Sequence, residues 1–118
     1  MKKKEIMTPF LKALGDTPKL RVLDFLIDND LFDYNLTEIA RESNVSYNSL
    51  ISFFDKFIKN GIVVRTRKQG KSDLYKLNTD NLFVKHLVRL DVELTVGPLL
   101  AESKSELSSG LLNKEIVV

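Results

Sequence analysis

The spacing of apolar residues between Leu36 and Leu77 limits what this chain can fold into more than any other feature. Leu36, Ile39 and Ala40, then Val45, then Leu50, Phe54 and Phe57 recur at helical intervals, broken once at Ser43-Asn44. The spacing predicts two short helices joined by a tight turn. Thr37 is the expected N-cap of a helix over 38–43, which buries Ile39 and the small Ala40 where two helices cross closely. Asn44 suits a left-handed turn residue, Val45 plugs the core beneath it, and Ser46 caps the next helix. That helix is expected to run to about Asn60 and to stop at Gly61. A two-stranded hairpin follows at once. Ile62, Val64 and Thr66 alternate with Val63, Arg65 and Arg67, the chain turns at Gln69-Gly70-Lys71-Ser72, and Tyr75 and Leu77 return inward.

At 100° per residue the second helix separates into two faces. Leu50, Phe54, Phe57 and Ile58 point one way with Ile51 beside them, while Asn48, Ser49, Ser52, Asp55, Lys56 and Lys59 point the other. The first face reads as core and the second as an exposed polar surface. Phe53 falls on the flank and is expected to be exposed.

Upstream, Pro9–Leu14 reads as a short apolar helix ending at Gly15. Thr17 and Pro18 open another, whose Leu20, Leu23, Leu26 and Ile27 share a face before Asp28-Asn29-Asp30 breaks it. Tyr34–Leu36 is a candidate short strand pairing with the hairpin. Downstream, Asp80 or Asn81 opens a last helix. Leu82, Phe83, Leu87, Leu90 and Leu94 line one side of it and Val84, Val88 and Val92 another, more than one small domain can cover. A symmetric second copy is the economical solution, with His86 in the same interface rather than on a metal. Gly97-Pro98 is expected to end this helix. The expected layout is a mobile basic arm (1–7), a helix–turn–helix with hairpin (8–79), a dimerisation helix (80–96) and a tail (97–118) that is either a further short helix or disordered. The fold class is mainly α with a small β-hairpin.

Composition narrows the function. The 118 residues contain no cysteine and a single histidine, which removes disulfides, thiolate metal sites and most catalytic dyads. No glycine-rich phosphate loop and no cluster of carboxylates is visible in sequence order. An enzyme is not expected, and no cofactor is implied. No signal peptide or apolar run of membrane-spanning length is seen, so a cytoplasmic location is expected. The net charge of +2 says little, but its distribution is uneven. The first half is acidic, whereas the hairpin sets Arg65, Arg67, Lys68, Lys71 and Lys76 against Asp73 alone.

With these motifs the chain resembles winged helix–turn–helix transcriptional regulators of the ArsR/MarR type, as found in bacteria and archaea. The resemblance is carried by Leu14-Gly-Asp-Thr-Pro-Lys-Leu-Arg-Val-Leu23, by Val45-Ser46 with Leu50, Phe54, Phe57 and Gly61-Ile-Val63, and by Tyr75-Lys-Leu77, covering about residues 10–96. It implies a homodimer on double-stranded DNA, with one helix in the major groove and the hairpin as a wing beside it. By that reading Ser46, Tyr47, Asn48, Ser49, Ser52 and Lys56 would face DNA from the helix, and Arg65, Arg67, Lys68 and Lys71 from the wing. Tyr47 has two uses, a phosphate hydrogen bond or packing on the wing. The dimer interface would hold Leu82, Phe83, His86, Leu87, Leu90 and Leu94. The chain departs from the family pattern in lacking Arg or Lys at the start of the helix's outer face, and Asp55 there would repel phosphate. The acidic first half, that weakly basic face and Phe53 motivate a second expectation, a winged-helix module that binds an unidentified protein partner.

Overall fold

Thr8, Thr17, Asn35 and Ser46 each accept a hydrogen bond from the backbone N–H three residues on, and each opens a helix. The computed structural model, which describes residues 7–107, orders the elements as α1 (Pro9–Leu14), α2 (Pro18–Asp28), α3 (Leu36–Ser43), α4 (Tyr47–Lys59), β1 (Val63–Gln69), β2 (Ser72–Leu77) and α5 (Leu82–Leu107). Residues 1–6 of the arm expected at 1–7 and the end of the tail at 108–118, with Leu111 and Leu112, lie outside the described residues.

The N-cap of α3 is Asn35, not Thr37. Its side chain accepts from the Glu38 N–H while the Glu38 carboxylate accepts from the Asn35 N–H, a reciprocal pair that satisfies two donors where Thr37 would satisfy one. Asn44 then turns the chain with φ 58° and ψ 47°, the left-handed conformation expected of it. Arg21 braces this turn, donating to the Asn44 carbonyl at 2.9 Å while bound to Asp16.

Phe10, Val22, Leu26, Ile39, Leu50, Phe54, Leu77 and Val84 form the centre of the core, which all five helices and the hairpin share. Three expectations about packing fail. Phe53 is 5 % exposed, because its ring turns inward against Phe57 with centroids 5.1 Å apart. Ile51 and Ile58 are instead exposed, being displaced from the buried arc that Phe53 occupies. At the hairpin's entry Ile62, just before β1, and Val63, its first residue, are buried, and Val64 faces solvent. The strand's register shifts at a β-bulge between Arg65 and Arg67. Thr66 is the extra residue, so Arg65 pairs with Tyr75 but Arg67 with Leu74.

Tyr34 supplies a single bridge to β2, its N–H and carbonyl each 2.8 Å from those of Tyr75. At the other end of the hairpin, Asn78 donates to the Gly61 carbonyl at 2.9 Å and Asn81 accepts from the Val84 N–H at 3.1 Å, opening α5. Gly61 has φ 73°, and a Cβ there would meet the Asn81 amide at 3.0 Å, so a larger residue at this junction would be strained.

Helix α5 does not end at Gly97-Pro98. It continues to Leu107, with Pro98 inside it. Pro98 removes one helical hydrogen bond, but Gly97 has no Cβ to collide with the proline ring, which lowers the cost of staying helical. Val84 seats the start of α5 in the core, and Leu87 and Val88 pack partly against it. Leu82, Phe83, Leu90, Val92 and Val96 remain exposed. Among the described residues no helix is long and apolar enough to cross a membrane.

Candidate nucleic-acid interface

Helix α4 presents its polar residues outward because its aromatic residues take the other side. Tyr47, Asn48, Ser52, Asp55, Lys56 and Lys59 are exposed, and Ser49 is half-buried. The hydroxyls are partly committed. Ser46 Oγ accepts from the Ser49 N–H, which leaves its own proton free to donate outward. Ser52 donates to the Ser49 carbonyl at 2.6 Å, which leaves it an acceptor. Asp55, the residue expected to repel a polyanion, is paired with Lys59 at 3.2 Å. Lys56 forms no ion pair among the described residues.

The hairpin stands beside the start of this helix. Phe54 and Tyr75 meet edge to face at 5.1 Å, so the ring that anchors α4 also sets the wing's angle. Between them lies a shallow groove of about 220 Å³, bordered by Asn35–Thr37 of α3, Tyr47 of α4 and Lys71, Ser72, Asp73 and Tyr75 of the wing. Tyr47 is 49 % exposed beside this groove, open to a hydrogen-bond partner rather than buried under the hairpin.

The wing's cations are less free than their sequence suggests. Arg67 makes a two-pronged pair with Asp33 from the loop before α3, at 2.9 and 3.2 Å. The bulge directs this pairing, since Thr66 Oγ1 also donates to Asp33. Hydrogen bonds from Arg67 and then Thr66 hold the Asp33 carboxyl down to about 2. Its contribution is therefore constant above the unfolded carboxylate value near 4 and lost only as pH falls through about 2, so no ordinary change of pH opens the pair. Arg65 and Lys68 share one oxygen of Asp73, at 3.5 and 3.1 Å. Lys71, at the tip beside Gly70 with φ 64°, forms no ion pair among the described residues. Sequence order hid the role of Asp33, because it lies 34 positions before Arg67.

The residues expected at a second interface separate on α5. Leu82, Phe83, His86 and Leu90 are exposed, while Leu87 and Leu94 are half-buried.

No protein-family model matches the chain, and no curated protein sequence matches it. Solved structures do. The crystal structure of NadR in complex with 4-hydroxyphenylacetate aligns over 92% of this chain and 77% of its own, with 18% identity and a TM-score of 0.54. The transcriptional repressor CouR, bound to a 23-mer DNA duplex, aligns over 91% and 72% at 23% identity and a TM-score of 0.51. The MarR family transcriptional regulator SPO1453 from Silicibacter pomeroyi DSS-3 aligns over 90% and 78% at 20% identity, also with a TM-score of 0.51. Capped helices, bulged hairpin and long final helix together make this the winged-helix fold that MarR-type transcriptional regulators adopt.

Proposed function

We propose that the chain is a homodimeric, sequence-specific double-stranded DNA-binding protein that acts as a transcriptional regulator. One observation carries this reading. The outer face of α4 is free of the rest of the fold, and the basic wing is locked beside its N-terminal end by the Phe54–Tyr75 contact. Asn48 offers a bidentate partner for an adenine edge, Ser52 an acceptor, and Ser46 and Tyr47 hydroxyl donors to phosphate. Lys56 and Lys71 supply unpaired charge for the backbone, with Arg65, Arg67 and Lys68 after exchange of partners. That the CouR structure is bound to a 23-mer DNA duplex supports DNA as the class of ligand. The exposed face of α5 supports a second copy of the chain as its partner.

Fluorescence anisotropy against a mixed duplex, repeated across a salt series, tests the proposal. Each phosphate contact contributes about 0.9 to the slope of log affinity against log salt. Arg67→Ala with Lys68→Ala is expected to lower that slope and weaken binding uniformly across sequences. Asn48→Ala is expected to flatten sequence preference instead. Absence of duplex binding at low salt refutes the proposal.

Asp33 yields a second expected result. Asp33→Asn weakens the hold on Arg67, and DNA affinity is expected to rise about fivefold. Unchanged affinity in the same titration would mean that Arg67 never leaves Asp33 for a phosphate.

The protein-binding alternative loses one of its motives, since Phe53 is buried. Leu31 and Phe32, 82 % and 61 % exposed in the loop beside Asp33, are the apolar surface that would serve it.

A further inference from the structure

On α2 the carboxylates of Asp24 and Asp28 stand one helical turn apart, and α5 brings Asp91 to them. One oxygen from each lies within 4.8 Å of the others. Asp24 is 7 % exposed; its Oδ2 accepts from Thr8 Oγ1 at 2.8 Å, and its Oδ1 is buried with no hydrogen-bond partner. Among the described residues no lysine or arginine forms an ion pair with any of the three.

A second observation comes from a different element. Ser43 of α3 is 4 % exposed, and its Oγ also has no partner, although a helical serine commonly returns its hydroxyl to the carbonyl one turn back. Ser43 lines the same cavity of about 180 Å³ as Asp24 and Asp28. Arg21 borders that cavity too but is committed to Asp16 and the Asn44 carbonyl. The cavity therefore sets two of the three carboxylates, Asp24 and Asp28, beside a buried hydroxyl, and both kinds of group have oxygen lone pairs to spare. Burial, then Asp24 and Asp91, push Asp28 up to about 6, and burial raises Asp24 and Asp91 as well.

We propose that Asp24, Asp28 and Asp91 hold a hard divalent cation of the Mg²⁺, Ca²⁺ or Mn²⁺ class, with Ser43 lining the cavity beside it. Oxygen ligands without nitrogen or sulfur select this class of ion. Opposed ligands at about 2.4 Å from Ca²⁺ would be about 4.8 Å apart, and the three oxygens lie within that separation of one another. Such an ion ties α5 to α2, elements otherwise joined chiefly through α1. The inference does not depend on DNA binding.

The test uses the full chain after chelator treatment, titrated at pH 7.5 with CaCl₂, MgCl₂ and MnCl₂ by calorimetry and, for manganese, by loss of the free-ion resonance. One ion per chain is expected, with a dissociation constant near about 10⁻⁴ M and a rise in Tm of about 5 °C or more at saturation. Asp28→Asn with Asp91→Asn keeps the buried Asp24 and is expected to fold, to bind no ion and to show a Tm indifferent to it. No saturable binding at about 10 mM cation overturns the proposal and leaves a shared proton or a buried water to satisfy these groups. Binding that survives the double substitution places the ion elsewhere and overturns it equally.

Discussion

A chain carrying Phe83→Asp and Leu90→Asp is expected to scatter light as a monomer of 13.5 kDa, whereas the unaltered protein is expected at twice that mass. Phe83 is 54 % exposed and Leu90 37 % exposed, and they stand two helical turns apart on a flank shared with Leu87 and Leu94. Covering a large apolar side chain contributes about 1.5–3 kcal/mol, and a two-fold axis counts each one twice. The substitutions remove that burial and set like charges facing each other across the axis. Neither residue belongs to the core cluster, so the circular dichroism spectrum is expected to stay helical. Affinity for a duplex with two half-sites is expected to fall about 100-fold or more, since the second contact is no longer tethered to the first. A monomeric parent at micromolar concentration, or a variant that still dimerises, removes α5 from that role.

The second large effect is on stability. Phe54→Ala is expected to cost about 3–5 kcal/mol in urea unfolding, a substantial share of what holds a small domain together. Phe54 is 2 % exposed and touches the rings of Phe57 and Tyr75. Its removal leaves a cavity at the joint between α4 and the hairpin, so the wing should also lose its fixed angle. Ile51→Ala is the control. Ile51 is 43 % exposed on the same helix, and its loss is expected to change stability by no more than about 0.5 kcal/mol. Equal effects from the two would mean that α4 is turned about its axis relative to the structure.

The same two residues show what could be read from sequence. Periodicity located α4 and its buried centre at Leu50, Phe54 and Phe57, because a regular helix translates spacing directly into direction. It misassigned Phe53, Ile51 and Ile58, since the width of the buried arc depends on the neighbours the helix meets. The turn residues Asn44, Gly61 and Gly70 were legible because each positive φ has a local chemical signature. The cap at Asn35 is equally legible in Asn35-x-x-Glu38, two residues before the threonine that the spacing suggests. Two features had no local signal at all. The Thr66 bulge depends on what β2 and Asp33 offer across the hairpin, and the Asp24–Asp28–Asp91 cluster depends on where α5 crosses. The end of α5 differs from the expectation because Gly97-Pro98 normally marks a stop, whereas a glycine before the proline lowers the cost of continuing.

Arg21 gives the turn between α3 and α4 a property that neither helix has alone. With its guanidinium gripping both Asp16 and the Asn44 carbonyl, the corner is rigid before any partner arrives. A surface set in advance loses little freedom on docking, so under the proposed function encounter frequency, more than reshaping, is expected to govern how quickly α4 engages DNA.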